Sequence, residues 1–384
     1  MTGLTLLQGI RVISLEQFIA GPYCTSLLAD AGATVTKIER PGAGDPRRGY
    51  DPRVGSGEEA ISGGFASYNR GKRSVTLPLD TPGGVAELER LLESADVLVC
   101  NLRPGALARM GLAPASLRER FPRLVICEIT GFGATGGEAA DWPAFDSVIQ
   151  GMSGLASLIG EADGPPTLAP MGTTDMLTAV YSAVGVLMAL VQRARTGEGS
   201  LVDAAMFDIT AAFLERPLTL HEFTGEVPSR GIDRFSPVGV FRAGDGGWLS
   251  IVIPTDDMWA RCARALGQPE LTEHPELNTV LKRAEAMHDR VVPLFEKWAA
   301  ELTRDEAAAA LRAAGQPVGV VQNVDEVRAH PQLAHRELFV PMADSIAVDA
   351  AGEPLRLPRL PLLFDGERAH PGPVPKLGEH TDRA

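Results

Sequence analysis

The sequence predicts an α/β protein, with a large domain built on a parallel sheet covered by helices and a smaller α+β domain after it. Three observations predict this. Short apolar runs alternate with helical periodicity through the first two hundred residues, as βαβ units require. The 384 residues are 45% hydrophobic and 22% charged, enough for a large core at a length that suits two domains. Near Gly225 the texture changes to a hairpin pattern and Ala-rich amphipathic helices.

Taken in order, "IRVISL" reads as a first strand, "YCTSLLADAG" as a helix opened by Pro22 and closed by Gly32, and "TVTKIE" as a second strand. Between Asp45 and Gly71 the pattern lapses into a long loop of Gly, Pro, Arg and Ser, and such loops inside compact domains tend to be functional. "SVTLPL", "DVLVCNL" and "RLVICEIT" are strands, and "VAELERLLESA" is a helix opened by Pro82. From Asp146, "SVIQGMSGLASLIG" is helical, and a turn-rich loop leads to Asp175. The nearly uncharged run Met176 to Gln192 carries Thr178, Tyr181 and Ser182 and is slightly short for a membrane span, so a buried core helix is expected. "RARTGEG" ends it, and "SLVDAAMFD" is a strand running into a linker helix. The large domain is thus placed at 1–205, the linker at 206–224 and the small domain at 225–320, with 321–384 returning to the large domain and wrapping its surface. The small domain opens with the hairpin "PVGVFRAGDGGWLSIVI", turning at Gly244 to Gly247.

Composition excludes several functions. The N-terminus has neither a basic region nor a small-residue cleavage site, so no export signal is expected. Cys24, Cys100, Cys127 and Cys262 lie far apart without a CxxC pair, which suits reduced, buried thiols in a cytoplasm. A net charge of -13 argues against nucleic acid as a partner. The first 110 residues hold equal numbers of acids and bases, with Lys37, Arg40, Arg47, Arg48, Arg53, Arg70, Lys72 and Arg73 in one stretch. That stretch suits either a small polyanion or a solvated face with ordinary ion pairs. The loop after the first strand, "LEQFIAGP", lacks the GxGxxG glycines, and GxxxxGK[ST], GxSxG and HExxH are missing, which removes the main support for dinucleotide, P-loop, serine-hydrolase and metal chemistry. Catalysis then rests on a carboxylate, and Asp175 stands at the mouth of the apolar run; its plain alternative is a helix N-cap.

The segments "GIRVISLEQFIAGPYCTSLLADAGATVTKIERPGAGDPRR", "YNRGKRSVTLPLDTPGG", "DVLVCNLRPGALARMGL", "FDSVIQGMSGL", "GPPTLAPMGTTDMLTAVYSAVGVLMAL" and "TGEGSLVDAAMFD" follow one another as they do in the class III CoA-transferases, which this chain resembles. The group includes formyl-CoA and carnitine CoA-transferases and the 2-methylacyl-CoA racemases. The resemblance implies a Rossmann-like CoA-binding domain and a homodimer of interlocked chains. It also implies acyl-CoA and small carboxylic acids as substrates, with no tightly bound cofactor and no metal. Asp175 matches the family's catalytic nucleophile. Gln17, Ile19, Ala20, Arg40, Asn101, Leu102, Arg103, Arg109, Thr130 and Gly131 match positions around CoA, and Lys72 is added as a phosphate partner. Backbone N–H groups at Gly131 to Gly137 or Gly244 to Gly247 are expected to stabilise the oxyanion.

The chain departs from the family pattern at several points, among them the family's glycine-run lid near the small domain, which is not evident here. Lysines that contact CoA in the family fall at Thr130 and Asp80, and the histidine a racemase needs falls at Ala144. The racemase therefore lacks one of its two bases. A non-catalytic CoA-binding protein would have no use for Asp175. Small dicarboxylates are the expected acids, with Arg47, Arg48, Arg230 or Arg234 available to pair with a second carboxylate.

Overall fold

The alternating runs assemble as one six-stranded parallel sheet, seen in a computed structural model that describes residues 3–57, 60–231, 235–344, 346–349 and 351–383. Its strands are β1 (Arg11–Leu15) and β2 (Thr34–Glu39) and then, beyond a short antiparallel pair β3 (Arg53–Val54) and β4 (Ile61–Ser62) in the long loop, β5 (Arg73–Thr76), β6 (Val97–Cys100), β7 (Val125–Thr130) and β8 (Leu201–Ala205). The order across the sheet is β5-β2-β1-β6-β7-β8, every neighbouring pair parallel.

The helices on its faces are α1 (Ala20–Asp30), α2 (Gly63–Asn69), α3 (Pro82–Leu92), α4 (Ala106–Arg109), α5 (Pro114–Arg120), α6 (Asp146–Met152), α7 (Thr173–Thr196) and α8 (Met206–Phe213). Alternating side chains divide the core in two. Val12, Val97, Val99 and Cys127 pack with α1 and α7, while Ile13, Leu98, Cys100 and Ile126 pack with α3, α4 and α5. Both faces being covered, β6 (VLVC) is apolar throughout and β1 and β7 are largely so.

The run expected as a buried core helix is α7, and it is buried on one face only. Thr178, Ser182, Ala183, Val186 and Ala189 pack inside, whereas Val180, Val184, Leu187, Met188 and Val191 are exposed. Its apolar residues encircle the helix, and the sheet and α1 cover only one side. Among the described residues it is the one helix long and apolar enough to cross a membrane by length and composition.

The chain divides into two units, Met1–Ile159 with Pro166–Thr219 and Gln332–Ala384, and Gly160–Pro165 with Leu220–Pro331. α9 (Glu215–Thr224) runs from the first into the second. The second unit holds β9 (Val238–Arg242), β10 (Trp248–Val252), α10 (Asp256–Ala265), α11 (Val280–Glu285), α12 (Val292–Ala299), α13 (Arg304–Ala313), β11 (Val318–Val320) and α14 (Val324–Ala329). Its antiparallel sheet, ordered β11-β10-β9, packs Phe241 and Leu249 against Trp259, Phe295 and Leu311. The unit runs to Pro331 rather than to residue 320, because α14 is tied back to α13 by the Glu326–Arg304 ion pair.

Candidate active site

In a sheet of this order the connections reverse direction between β1 and β6, and ligands bind at the carboxyl ends of the strands beside that point. The loops leaving β1 and β6 meet there through two hydrogen bonds: the Gln17 N–H donates to Asn101 Oδ1 and Asn101 Nδ2 donates to the Gln17 carbonyl, each at 2.8 Å. Phe18 follows with φ of 66°, a left-handed conformation that costs a non-glycine residue on the order of 1 kcal/mol and turns the chain sharply into α1. A cavity of about 310 Å³ opens at this edge. Gln17, Arg40, Leu102 and Arg109 line it, four of the residues expected around CoA, and so does Asp80. Arg40 and Arg109 are both exposed there, offering two guanidinium groups to an anion.

Much of the basic stretch serves another purpose. Lys72 is fully buried, its ammonium 2.7 Å from Glu16 Oε1 and donating also to the Pro22 carbonyl at 2.9 Å and to Asn69 Oδ1 at 3.1 Å. Lys37, equally buried, pairs with Asp45 at 2.8 Å and with Glu16 at 3.7 Å. Arg48 grips Glu39 with two bonds of 2.7 and 2.8 Å. Burial alone would raise the Glu16 carboxyl, but Lys72 and Lys37 beside it hold it below its ordinary range. Burial pushes the Lys72 ammonium down to about 8, against the pull of Glu16. Lys72 therefore stands beneath the cavity in a buried ion cluster and not on its wall, which corrects its expected role as a phosphate contact. Arg103 is exposed, outside the lining of this cavity.

Asp175 lies in the first turn of α7 but is not its N-cap. That position is Gly172, at φ of 90°, which has no side chain to cap with. The cap comes from α6: Asp146, 5% exposed, accepts the Thr174 N–H and hydroxyl and the Gln150 amide, each at 2.7 Å. Gln150 in turn accepts the Ala169 N–H at 2.8 Å, which pins the loop ahead of α7. With the helix start satisfied from outside, no hydrogen bond among the described residues engages the Asp175 carboxylate. Burial pushes its carboxyl up to about 6, the charge of Asp146 adding to the effect and that of Arg47 opposing it. The result is a partly buried carboxylate, ionised at neutral pH and weakly solvated, in reach of a basic side chain.

The other expected residues sit as follows. Ile19 and Ala20 are buried at the start of α1, and Ile19 Cδ1 stands 3.3 Å from the position a Gly172 Cβ would take, so the first turns of α1 and α7 adjoin. Thr130 is buried at the end of β7, its hydroxyl accepting the Gly133 N–H at 2.8 Å. Gly131 is crowded, since a Cβ there would come 2.2 Å from that of Ala144. The Gly244–Gly247 turn fails as an oxyanion site. Its Gly244 N–H donates to the Ala299 and Leu302 carbonyls, Gly246 to Ala243, and Gly247 to Asp245 Oδ1 at 2.9 Å. Of the arginines expected to meet a second carboxylate, Arg48 is held by Glu39, Arg230 donates to the Glu161 and Gly164 carbonyls, and Arg234 lies outside the described residues. All four cysteines are buried and free of disulfides, and burial pushes Cys100 and Cys127 up to about 12. Sequence reasoning missed Asp146, whose one trace is the i,i+4 pairing of Asp146 with Gln150, and Tyr68, whose hydroxyl is pushed up by burial and also feels the charge of Asp175.

Comparison with known proteins gives these residues a context. The model of CoA-transferase family III matches residues 7–381. The chain is 33% identical to the succinate–glutarate CoA-transferase of Agrobacterium fabrum, over 97% of this chain and 93% of that one. It is 36% identical to the succinyl-CoA:mesaconate CoA-transferase of Haloarcula hispanica, over 97% and 94%. Among solved structures, a CAIB/BAIF family protein from Brucella suis superposes with a TM-score of 0.85 at 31% identity, covering 99% of this chain and 98% of that one.

Proposed function

This chain is a transferase that belongs to CoA-transferase family III, and on that premise we propose that it moves coenzyme A from an acyl-CoA donor to a carboxylic acid acceptor, with Asp175 as nucleophile. The observation that carries the reading is a carboxylate at the start of α7, pushed up to about 6 and left out of the helix cap. An Asp175 oxygen attacks the thioester carbonyl, the C–S bond breaks, and CoA leaves as a thiolate from a mixed anhydride. The thiolate attacks the aspartyl carbonyl, releasing the donor acid as a carboxylate and leaving an aspartyl-CoA thioester. The acceptor carboxylate attacks that thioester, forming a second anhydride and freeing the thiolate again. The thiolate then takes the acceptor's acyl carbon and restores Asp175. One thioester replaces another, so the reaction is nearly isoenergetic and balances without a further co-reactant.

Weak solvation favours a nucleophile that must form anhydrides without losing them to water. Arg40 and Arg109 are assigned to the CoA phosphates, with the backbone at Gln17 and the start of α1 close by. The relatives named for succinate, glutarate and mesaconate support small dicarboxylic acids as substrates. The exposed apolar stripe of α7 supports a homodimer in which a second copy covers it. Incubation with succinyl-CoA and hydroxylamine, followed by mass spectrometry, is expected to place a hydroxamate on Asp175. Transfer of CoA with Asp175 never modified would refute the mechanism, and exchange of the α-proton with deuterated water in place of transfer would favour a racemase.

A further inference from the structure

We infer that Arg47 is the specificity residue for dicarboxylic acids, its guanidinium receiving the far carboxylate of a substrate whose near carboxylate reacts at Asp175. The inference rests on the reading of Asp175 as nucleophile and adds to it the group that selects the acid.

The placement of Arg47 is built from the buried cluster upward. Asp45, held by Lys37 at 2.8 Å, accepts the Arg47 N–H at 3.0 Å and so sets the short turn Pro46–Gly49. Arg47 Nε donates to the Gly64 carbonyl at 2.8 Å, and a Cβ at Gly64 would lie 2.7 Å from Arg47 Nη2, so a larger residue there would displace the fork. The guanidinium carbon lies 5.3 Å from the centre of the Tyr68 ring and 5.8 Å from that of Tyr50. Tyr68 and Met176, the residue after Asp175, line one cavity, so the ring that supports Arg47 borders the first turn of α7.

Backbone and rings thus fix one edge of the guanidinium, and among the described residues neither Nη carries a protein hydrogen bond. That is the arrangement of a fork presented to a carboxylate. The rival cations are engaged elsewhere: Arg48 by Glu39, Lys37 by Asp45 and Lys72 by Glu16. A monocarboxylic acid would leave Arg47 solvated and make no pair with it, and the effect of the Arg47 charge on Asp175 is common to both classes of acid, so the choice of acid is read from their ratio.

The test compares kcat/KM for succinate and butyrate, and for glutarate and pentanoate, as CoA acceptors, at about pH 8, above the value of about 6 to which burial pushes Asp175. Wild type is expected to favour each dicarboxylate. In Arg47→Met the dicarboxylate-to-monocarboxylate ratio should fall about 100-fold, the loss of a charge-assisted pair. Arg47→Lys, which keeps the charge without the fork, should fall about tenfold and serves if the methionine variant does not fold. The ratio does not depend on the fraction of active enzyme. A ratio unchanged within about threefold, or equal losses for both classes of acid, overturns the assignment while leaving the transferase intact. A wild type that transfers CoA to none of these acids and shows no labelling of Asp175 would instead refute the function on which the assignment rests.

Discussion

Replacing Asp175 by asparagine should abolish transfer and, at neutral pH and above, make the protein more stable. The folded chain raises this carboxyl from 3.8 to about 6, through burial first and the charge of Asp146 second. It therefore binds a proton more tightly folded than unfolded. The stability this lends is fully present below pH 3.8 and is lost as pH rises through about 6, a difference of roughly 3 kcal/mol at about 1.4 kcal/mol per pH unit. Asparagine does not ionise, so the variant should exceed wild type by up to about 3 kcal/mol at pH 8 and match it near pH 4. For the wild-type enzyme the same value sets the acid limb of kcat/KM. The ionised fraction rises from about 9% at pH 5 to about 91% at pH 7, a tenfold gain where an ordinary aspartate would give almost none. Because phosphates such as those of CoA also titrate near pH 6, urea unfolding without substrate is the deciding assay. A variant no more stable than wild type at pH 8, together with a flat acid limb, would refute the reasoning.

Lys72→Met should cost about 3–5 kcal/mol in urea unfolding, because it strips Glu16 of the nearest cation in a cluster without solvent. KM for acyl-CoA should stay near the wild-type value in the fraction that folds; a large rise would return Lys72 to the phosphates. Arg40→Met and Arg109→Met should do the reverse, each raising KM for acyl-CoA severalfold and weakening its salt dependence, with stability changed by less than about 0.5 kcal/mol at these exposed sites. Gly131→Ala should destabilise by about 1–3 kcal/mol, since the new Cβ would stand 2.2 Å from that of Ala144, and a second change, Ala144→Gly, should restore most of the loss.

The parallel sheet was legible because β1, β6 and β7 are largely apolar and separated by helical periods, a local signal. The hairpin of the second unit was legible from its glycine-rich turn for the same reason. The partners of individual charges were not. Lys37, Arg48 and Lys72 read as basic residues available to a polyanion, and nothing within a few residues of them says that Glu16, Glu39 and Asp45 will be folded against them. Ion pairing across a sheet depends on which strands adjoin, and β5-β2-β1 adjacency is a property of the whole topology. Arg40 and Arg109 carry the same charge, but Arg40 stands just past the end of β2 and Arg109 is the last residue of α4, and both remain in solvent.

The same distinction decides what Asp175 does. A helix start must satisfy several N–H groups, and an acid in its first turn ordinarily has that work. Here Asp146, distant in sequence and delivered by α6, takes the Thr174 N–H, and Gly172 turns the chain without needing a side chain. Burial raises the energy of the Asp175 carboxylate, Asp146 adds to it by setting a second negative charge beside it, and the cap supplied from outside leaves the carboxylate out of the helix start. Under the proposed mechanism these features suit it to attack a thioester, and the cap and the neighbouring charge depend on the packing of α6 against α7. The acid's reactivity thus belongs to the pair of helices and not to either segment alone.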